Sequence, residues 1–158
     1  MLVSRNRYEG YSRTYPQQPA ALWLAARYGL LALCKSLLSY GCDVDETTSD
    51  GDTALCTAAE MGFSDIVVLL LNHNASPSSG SNRKFSMPPL LSAAHAGISA
   101  SVEALLEKDA NINDRDRTGR TALHAAISKG KATLIPFFLD NGAHVDAYTH
   151  RSLWTPLH

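Results

Sequence analysis

Cysteine is scarce in this chain. Cys34, Cys42 and Cys56 are the three cysteines among 158 residues, and they form neither a CxxC pair nor an even set. A zinc or redox motif and a disulfide framework are therefore both excluded by spacing. Free thiols in apolar surroundings fit a reducing compartment, so the expected location is intracellular, with cytoplasm ahead of nucleus. Long apolar runs are missing too. The longest, Ala20–Ala26 and Ile66–Leu71, fall far short of the ~20 residues a membrane span requires. Met1–Pro19 is polar, carries Arg5, Arg7 and Arg13, and lacks the apolar stretch of a secretory signal. Charge is nearly balanced, with 14 Lys and Arg against 15 Asp and Glu and a formal net charge of −1. A dedicated nucleic-acid or acidic-membrane binder needs a strong basic excess, which this chain does not have.

What the sequence does have is an internal repeat. Hydrophobic residues make up 45% of it, enough to build the core of one folded unit. Leu22, Leu55, Leu90, Leu123 and Leu157 recur at separations of 33, 35, 33 and 34. Seven residues after each of the first four stands a glycine: Gly29, Gly62, Gly97 and Gly130. Eight residues further on comes an apolar pair: Leu37-Leu38, Leu70-Leu71, Leu105-Leu106 and Phe138-Leu139. Between leucine and glycine lie small residues: Ala25-Ala26, Ala58-Ala59, Ala93-Ala94, and Ala126 before Ile127.

This pattern predicts two short helices and a turn per unit. Alanine is the best helix former, and its lack of bulk lets neighbouring helices approach closely. The glycine is expected to end the first helix in a left-handed conformation. Ile66, Val67, Leu70 and Leu71 form a helical stripe in the second. Polar stretches such as Asp43–Asp52 and Asn111–Arg120 then supply turns. Such a unit cannot bury its own apolar face, whereas a stack of them can.

Thr121-Ala122-Leu123-His124 with Ala126, Gly130 and Gly142-Ala143-His144-Val145-Asp146 resembles the ankyrin repeat, whose hallmark is T-P-L-H-x-A. Thr155-Pro156-Leu157-His158 reproduces the first four letters. The resemblance covers Ala20 to His158. It implies an all-α solenoid of stacked antiparallel helix pairs with projecting hairpin-like fingers. The repeats are expected at about 20–52, 53–87, 88–120 and 121–154, with a truncated fifth from 155 and a polar, disordered tail over 1–19. The ending at His158 suggests a fragment of a longer protein. Four departures from the family pattern matter. Ala20 and Pro88 replace the threonine that caps the first helix. Trp23, Cys56 and Leu91 replace the histidine, so repeats one and three should be held more by packing than by hydrogen bonds. Pro136 falls within the expected second helix of repeat four, which must therefore start late or bend. The finger between repeats two and three, Pro77–Lys84, is two residues longer than its neighbours and reads as a mobile loop.

No catalytic constellation accompanies the repeat. The six histidines have no cysteine or carboxylate at zinc spacing, and H-E-x-x-H, G-x-S-x-G and Walker-type loops are absent. No metal, cofactor or small-molecule substrate is expected, and the chain is read as a non-enzyme. What remains is surface. The resemblance implies that the finger tips and the exposed side of the first helices form a concave face that binds a protein. On this chain those positions are Arg27, Tyr28, Asp50, Asp52, Glu60, Met61, Lys84, Phe85, Met87, His95, Arg117, Arg120 and Lys129, followed by Arg151 and Trp154 in the last finger. From Asp43 to Ala75 there are seven acidic residues and no Lys or Arg; from Asn111 to Ala143 five basic residues face three acidic ones. The face should thus be acidic toward repeat two and basic toward repeat four. An interaction module of a larger intracellular scaffold or adaptor is the primary reading. A stand-alone enzyme inhibitor using the same face is the alternative. A third, weaker reading is nucleic-acid binding through the Arg/Tyr-rich tail.

Overall fold

The computed structural model describes residues 20–78, 87–147, 149 and 155–156. Within them lie eight α-helices: α1 (Ala21–Arg27), α2 (Leu31–Ser39), α3 (Ala54–Met61), α4 (Ser64–Asn72), α5 (Pro89–Ala96), α6 (Ser99–Glu107), α7 (Ala122–Ser128) and α8 (Leu134–Asp140). They pair as α1 with α2, α3 with α4, α5 with α6 and α7 with α8. The inner helices α1, α3, α5 and α7 pack in that order, and the outer helices α2, α4 and α6 form a second row. The main contacts among the described helices run within a repeat or between neighbouring repeats, as stacking requires.

Side-chain size explains the two rows. Ala25, Ala26, Ala58, Ala59, Ala93, Ala94, Ala125 and Ala126 are all buried where inner helices meet. The outer row fills its larger gaps with Cys34, Val67, Leu70, Val102, Leu105 and Phe138, all fully buried. Burial pushes the Cys34 thiol above its ordinary range, which suits an inert core residue. The predicted stripe of α4 is buried in full.

Helix starts follow the departures read from the sequence. The Thr53 hydroxyl accepts from the Cys56 amide at 3.2 Å and caps α3. At α7 the Thr121 amide donates to His124 Nδ1 at 3.2 Å, and the Thr121 hydroxyl lies 3.0 Å from the same nitrogen. His124 is therefore a structural residue. Neither Ala20 nor Pro88 supplies a side-chain cap, although Pro89 sits in the first turn of α5, where a missing N–H costs nothing. Pro136 is the third residue of α8. That helix starts late rather than bending, because a first-turn amide has no intrahelical acceptor to lose.

The expected glycine stops are present in all four repeats. Gly62 and Gly97 are the left-handed C-caps of α3 and α5, and Gly29 and Gly130, at φ +69° and +64°, follow the caps Tyr28 and Lys129 of α1 and α7 by one residue. Gly29 has a second constraint. With φ at +69°, a Cβ placed there would stand 2.8 Å from Phe63 Cζ of the next repeat.

Two features hold successive repeats together at their second turn. Asp45 accepts the Ser76 amide at 3.0 Å through Oδ1. Asn113, at the corresponding position two repeats on, accepts the His144 amide at 2.9 Å and donates to the Gly142 carbonyl at 3.3 Å. The turn itself needs a left-handed residue. Gly41 and Gly142 fill that place in repeats one and four, whereas Asn74 and Asp109, both at φ +63°, fill it in repeats two and three.

The first repeat also shows what stacking does to exposure. Ile66 and Leu134 are 2% exposed and Ser101 is fully buried, whereas Leu33, at the same position of repeat one, is 45% exposed. The later three pack against the preceding repeat, which Leu33 does not have among the described residues. The tail over 1–19, most of the long finger and half of the truncated fifth repeat lie outside the described residues.

Candidate protein-binding surface

Each finger is shaped by local hydrogen bonds that begin with its own sequence. In the finger between repeats one and two, the Thr48 amide donates to the Asp52 carbonyl at 3.0 Å and Thr47 bridges Thr53. The Asp52 amide donates to the Thr48 hydroxyl at 3.2 Å. Asp116 takes the place of Thr48 in the finger before repeat four. Its Oδ1 accepts from the Thr118 amide at 2.8 Å, the Thr118 hydroxyl at 2.7 Å and the Arg120 amide at 2.9 Å. A short Asx or Ser/Thr side chain closing its own turn is the reason these tips hold a defined shape.

The fingers and the inner helices set the candidate residues on one lattice. Arg27, Glu60, His95 and Ser128 occupy equivalent positions in the last turns of α1, α3, α5 and α7. Tyr28, Met61, Ala96 and Lys129 form the adjoining row. Asp52, Met87 and Arg120 stand at the base of successive fingers, each just before a helix cap. Arg27, Asp50, Glu60, Arg117 and Lys129 are exposed. Tyr28 is 67% exposed and Met61 43%. The Arg27 guanidinium lies 5.3 Å from the centre of the Trp23 ring, a cation–π distance, so part of this cation is already engaged. Arg120 donates through Nη2 to the Ser128 hydroxyl at 3.0 Å, and that hydroxyl donates to the Ala125 carbonyl at 3.1 Å. The guanidinium is thereby held against the end of α7.

His95 lies between the two charged ends. Burial lowers its proton affinity first, the charges of Lys129 and Arg120 lower it further, Glu60 opposes them and Lys131 adds a small push in the same direction. The imidazole thus senses a net positive field from repeat four. Between α3 and α5 a cleft of about 280 Å³ opens, lined by Asp52, Cys56, Thr57, Glu60, Met87 and Ser92.

Met87 is half-buried and packs against the core, where it forms a wall of the cleft. Lys84, Phe85, Arg151 and Trp154 lie outside the described residues. Sequence reading missed Thr57 and Ser92, because small polar residues inside an apolar helix pattern look like core filler. Among the described residues no group of three His, Cys, Asp or Glu side chains is placed to hold a metal ion. No helix there is long and apolar enough to cross a membrane.

The family description for ankyrin repeats in three copies matches residues 22–116, and that for ankyrin repeats in many copies matches 105–158. The chain belongs to the ankyrin repeat family. An ankyrin repeat and KH domain-containing protein of Caenorhabditis briggsae is 28% identical over 151 residues, covering 96% of this chain and 6% of that protein. The ankyrin repeat and KH domain-containing protein mask-1 of Caenorhabditis elegans is 29% identical over 84% of this chain and 5% of its own length. The human neurogenic locus notch homolog protein 1 is 28% identical over 99% of this chain and 6% of its own. The chain thus spans only a small fraction of each relative. Ankyrin repeats are generally protein–protein interaction modules.

Proposed function

We propose that this ankyrin repeat chain is a non-catalytic recognition module that binds a protein partner along its inner-helix and finger face, as part of a larger scaffold or adaptor. The observation that carries this reading is the separation of charge along one lattice. Asp50, Asp52 and Glu60 stand toward repeat two, while Arg117, Arg120 and Lys129 stand toward repeat four. Glu60 and Lys129 are both exposed. A partner of opposite polarity is steered into one orientation by such a surface. Tyr28 and Met61 supply the large exposed side chains that commonly anchor an interface. The very small share of each relative that this chain covers is consistent with a module of a longer protein.

The test is kinetic. A partner is identified by photo-crosslinking from Tyr28 and Met61, and its association rate is measured over a range of salt. Reversing Asp50 and Asp52 to lysine, and separately Arg117 and Arg120 to glutamate, should each slow association and flatten its salt dependence. Unchanged rates in both variants would refute the proposal.

A further inference from the structure

The cleft between α3 and α5 has a composition that the general reading does not use. Two acids, Asp52 and Glu60, sit on its rim, one from a finger base and one from the last turn of α3. Its floor carries the hydroxyls of Thr57 and Ser92, residues that are 4% and 3% exposed. Neither hydroxyl has a hydrogen-bond partner among the described residues. Neither oxygen is sealed from solvent in the way Ser101 Oγ is, so both open into the cleft. Hydroxyls that open into a cleft and are not used by the fold are available to the N–H groups of a ligand that displaces the cleft water. Met87 and Cys56 form the remaining wall, soft and apolar.

We infer that this cleft is a subsite for a lysine or arginine side chain of the protein partner. The inference rests on the reading of the inner-helix face as the binding surface. The aliphatic stem of the partner's cation lies along Met87 and Cys56, and its charged head stands between the carboxylates of Asp52 and Glu60. The head's N–H groups donate to the Thr57 and Ser92 hydroxyls, which accept. The same face continues, one to two repeats further on, to the basic side chains of Arg120 and Lys129. The same partner segment therefore carries an acidic residue on the side toward repeat four. Inner helices 8–10 Å apart and an extended chain rising about 3.3 Å per residue put that acid roughly three to six residues from the cation.

The probe is a set of acetylated, amidated Ser/Ala pentapeptides with a central lysine, arginine, norleucine or glutamate, titrated into the isotopically labelled full chain by NMR. Lysine and arginine peptides should give saturable shifts at Thr57, Glu60 and Ser92. Norleucine keeps the stem without the charge and should bind about tenfold more weakly, the loss expected for one charge-assisted hydrogen-bond set. Thr57→Val keeps the packing volume and should weaken the lysine peptide without lowering the melting temperature. Glu60→Gln is exposed, leaves the fold intact and should weaken it too. Equal binding of norleucine, or shifts that map elsewhere, would overturn the subsite. A displayed peptide library selected on the same chain separates the two readings. Selected peptides that bind the inner-helix face without a basic residue sink the subsite alone, and peptides that bind only the outer helices sink the general reading as well.

Discussion

Truncating the same side chain at the same position of two repeats should give very different losses. Leu134 is 2% exposed and Leu33 is 45% exposed, although each occupies the corresponding place in an outer helix. Leu134→Ala removes three buried carbons, about 2.4 kcal/mol at ~0.8 kcal/mol each, before any cavity term. The cavity raises the cost to about 3–4 kcal/mol, within the usual range for buried leucine. Leu33→Ala removes carbons already half in water and leaves no closed hole, so its cost is about 1 kcal/mol. Alanine's better helix propensity trims both values slightly. Urea unfolding followed by circular dichroism measures the two free energies, with hydrogen exchange to detect separate unfolding of end repeats. At this chain length the difference corresponds to roughly 4–12 °C in melting temperature. Equal losses at the two sites would refute the idea that repeat-on-repeat stacking sets burial.

Three further outcomes follow from the described geometry. Asp109→Gly and Asn74→Gly should each raise stability by up to about 1 kcal/mol, and Asp109→Ala should lower it by about as much, because φ of +63° suits glycine and strains a Cβ; calorimetry reads both signs. Asn113→Ala removes the acceptor of the His144 amide and the donor to Gly142, and should cost about 1–2 kcal/mol by urea unfolding. The His95 imidazole is held below its usual value of 6.5, so the unfolded chain takes up that proton at higher pH than the folded one. The contribution is complete above pH 6.5 and is lost as pH falls through the folded value, so wild type should lose stability on acidification that His95→Gln does not lose. Identical pH profiles would contradict the field from Lys129 and Arg120.

Much of the architecture was readable from the chain because the stacking physics writes itself into residue size. Alanine pairs marked the inner helices, and the spacing of Ile66, Val67, Leu70 and Leu71 marked an outer one. Thr121 with His124 announced the cap of α7, and Pro136 announced a late helix start. Contacts between distant residues were not readable. The Asp45–Ser76 and Asn113–His144 bonds join residues 31 apart, and nothing local distinguishes their Asx side chains from turn formers. Whether a glycine or the residue before it ends a helix depends on one residue of helix length, which propensity does not decide. For the binding surface, the polarity of charge could be listed from the sequence, but the cleft floor of Thr57 and Ser92 could not, since it needs two helices side by side.

The account stands or falls on which face meets the partner. Backbone chemical-shift mapping of the full chain against a bound partner protein measures this directly. The changes should concentrate at Tyr28, Glu60, Met61, His95, Arg120 and Lys129. A footprint on the outer helices α2, α4 and α6, with that row unmoved, would contradict it.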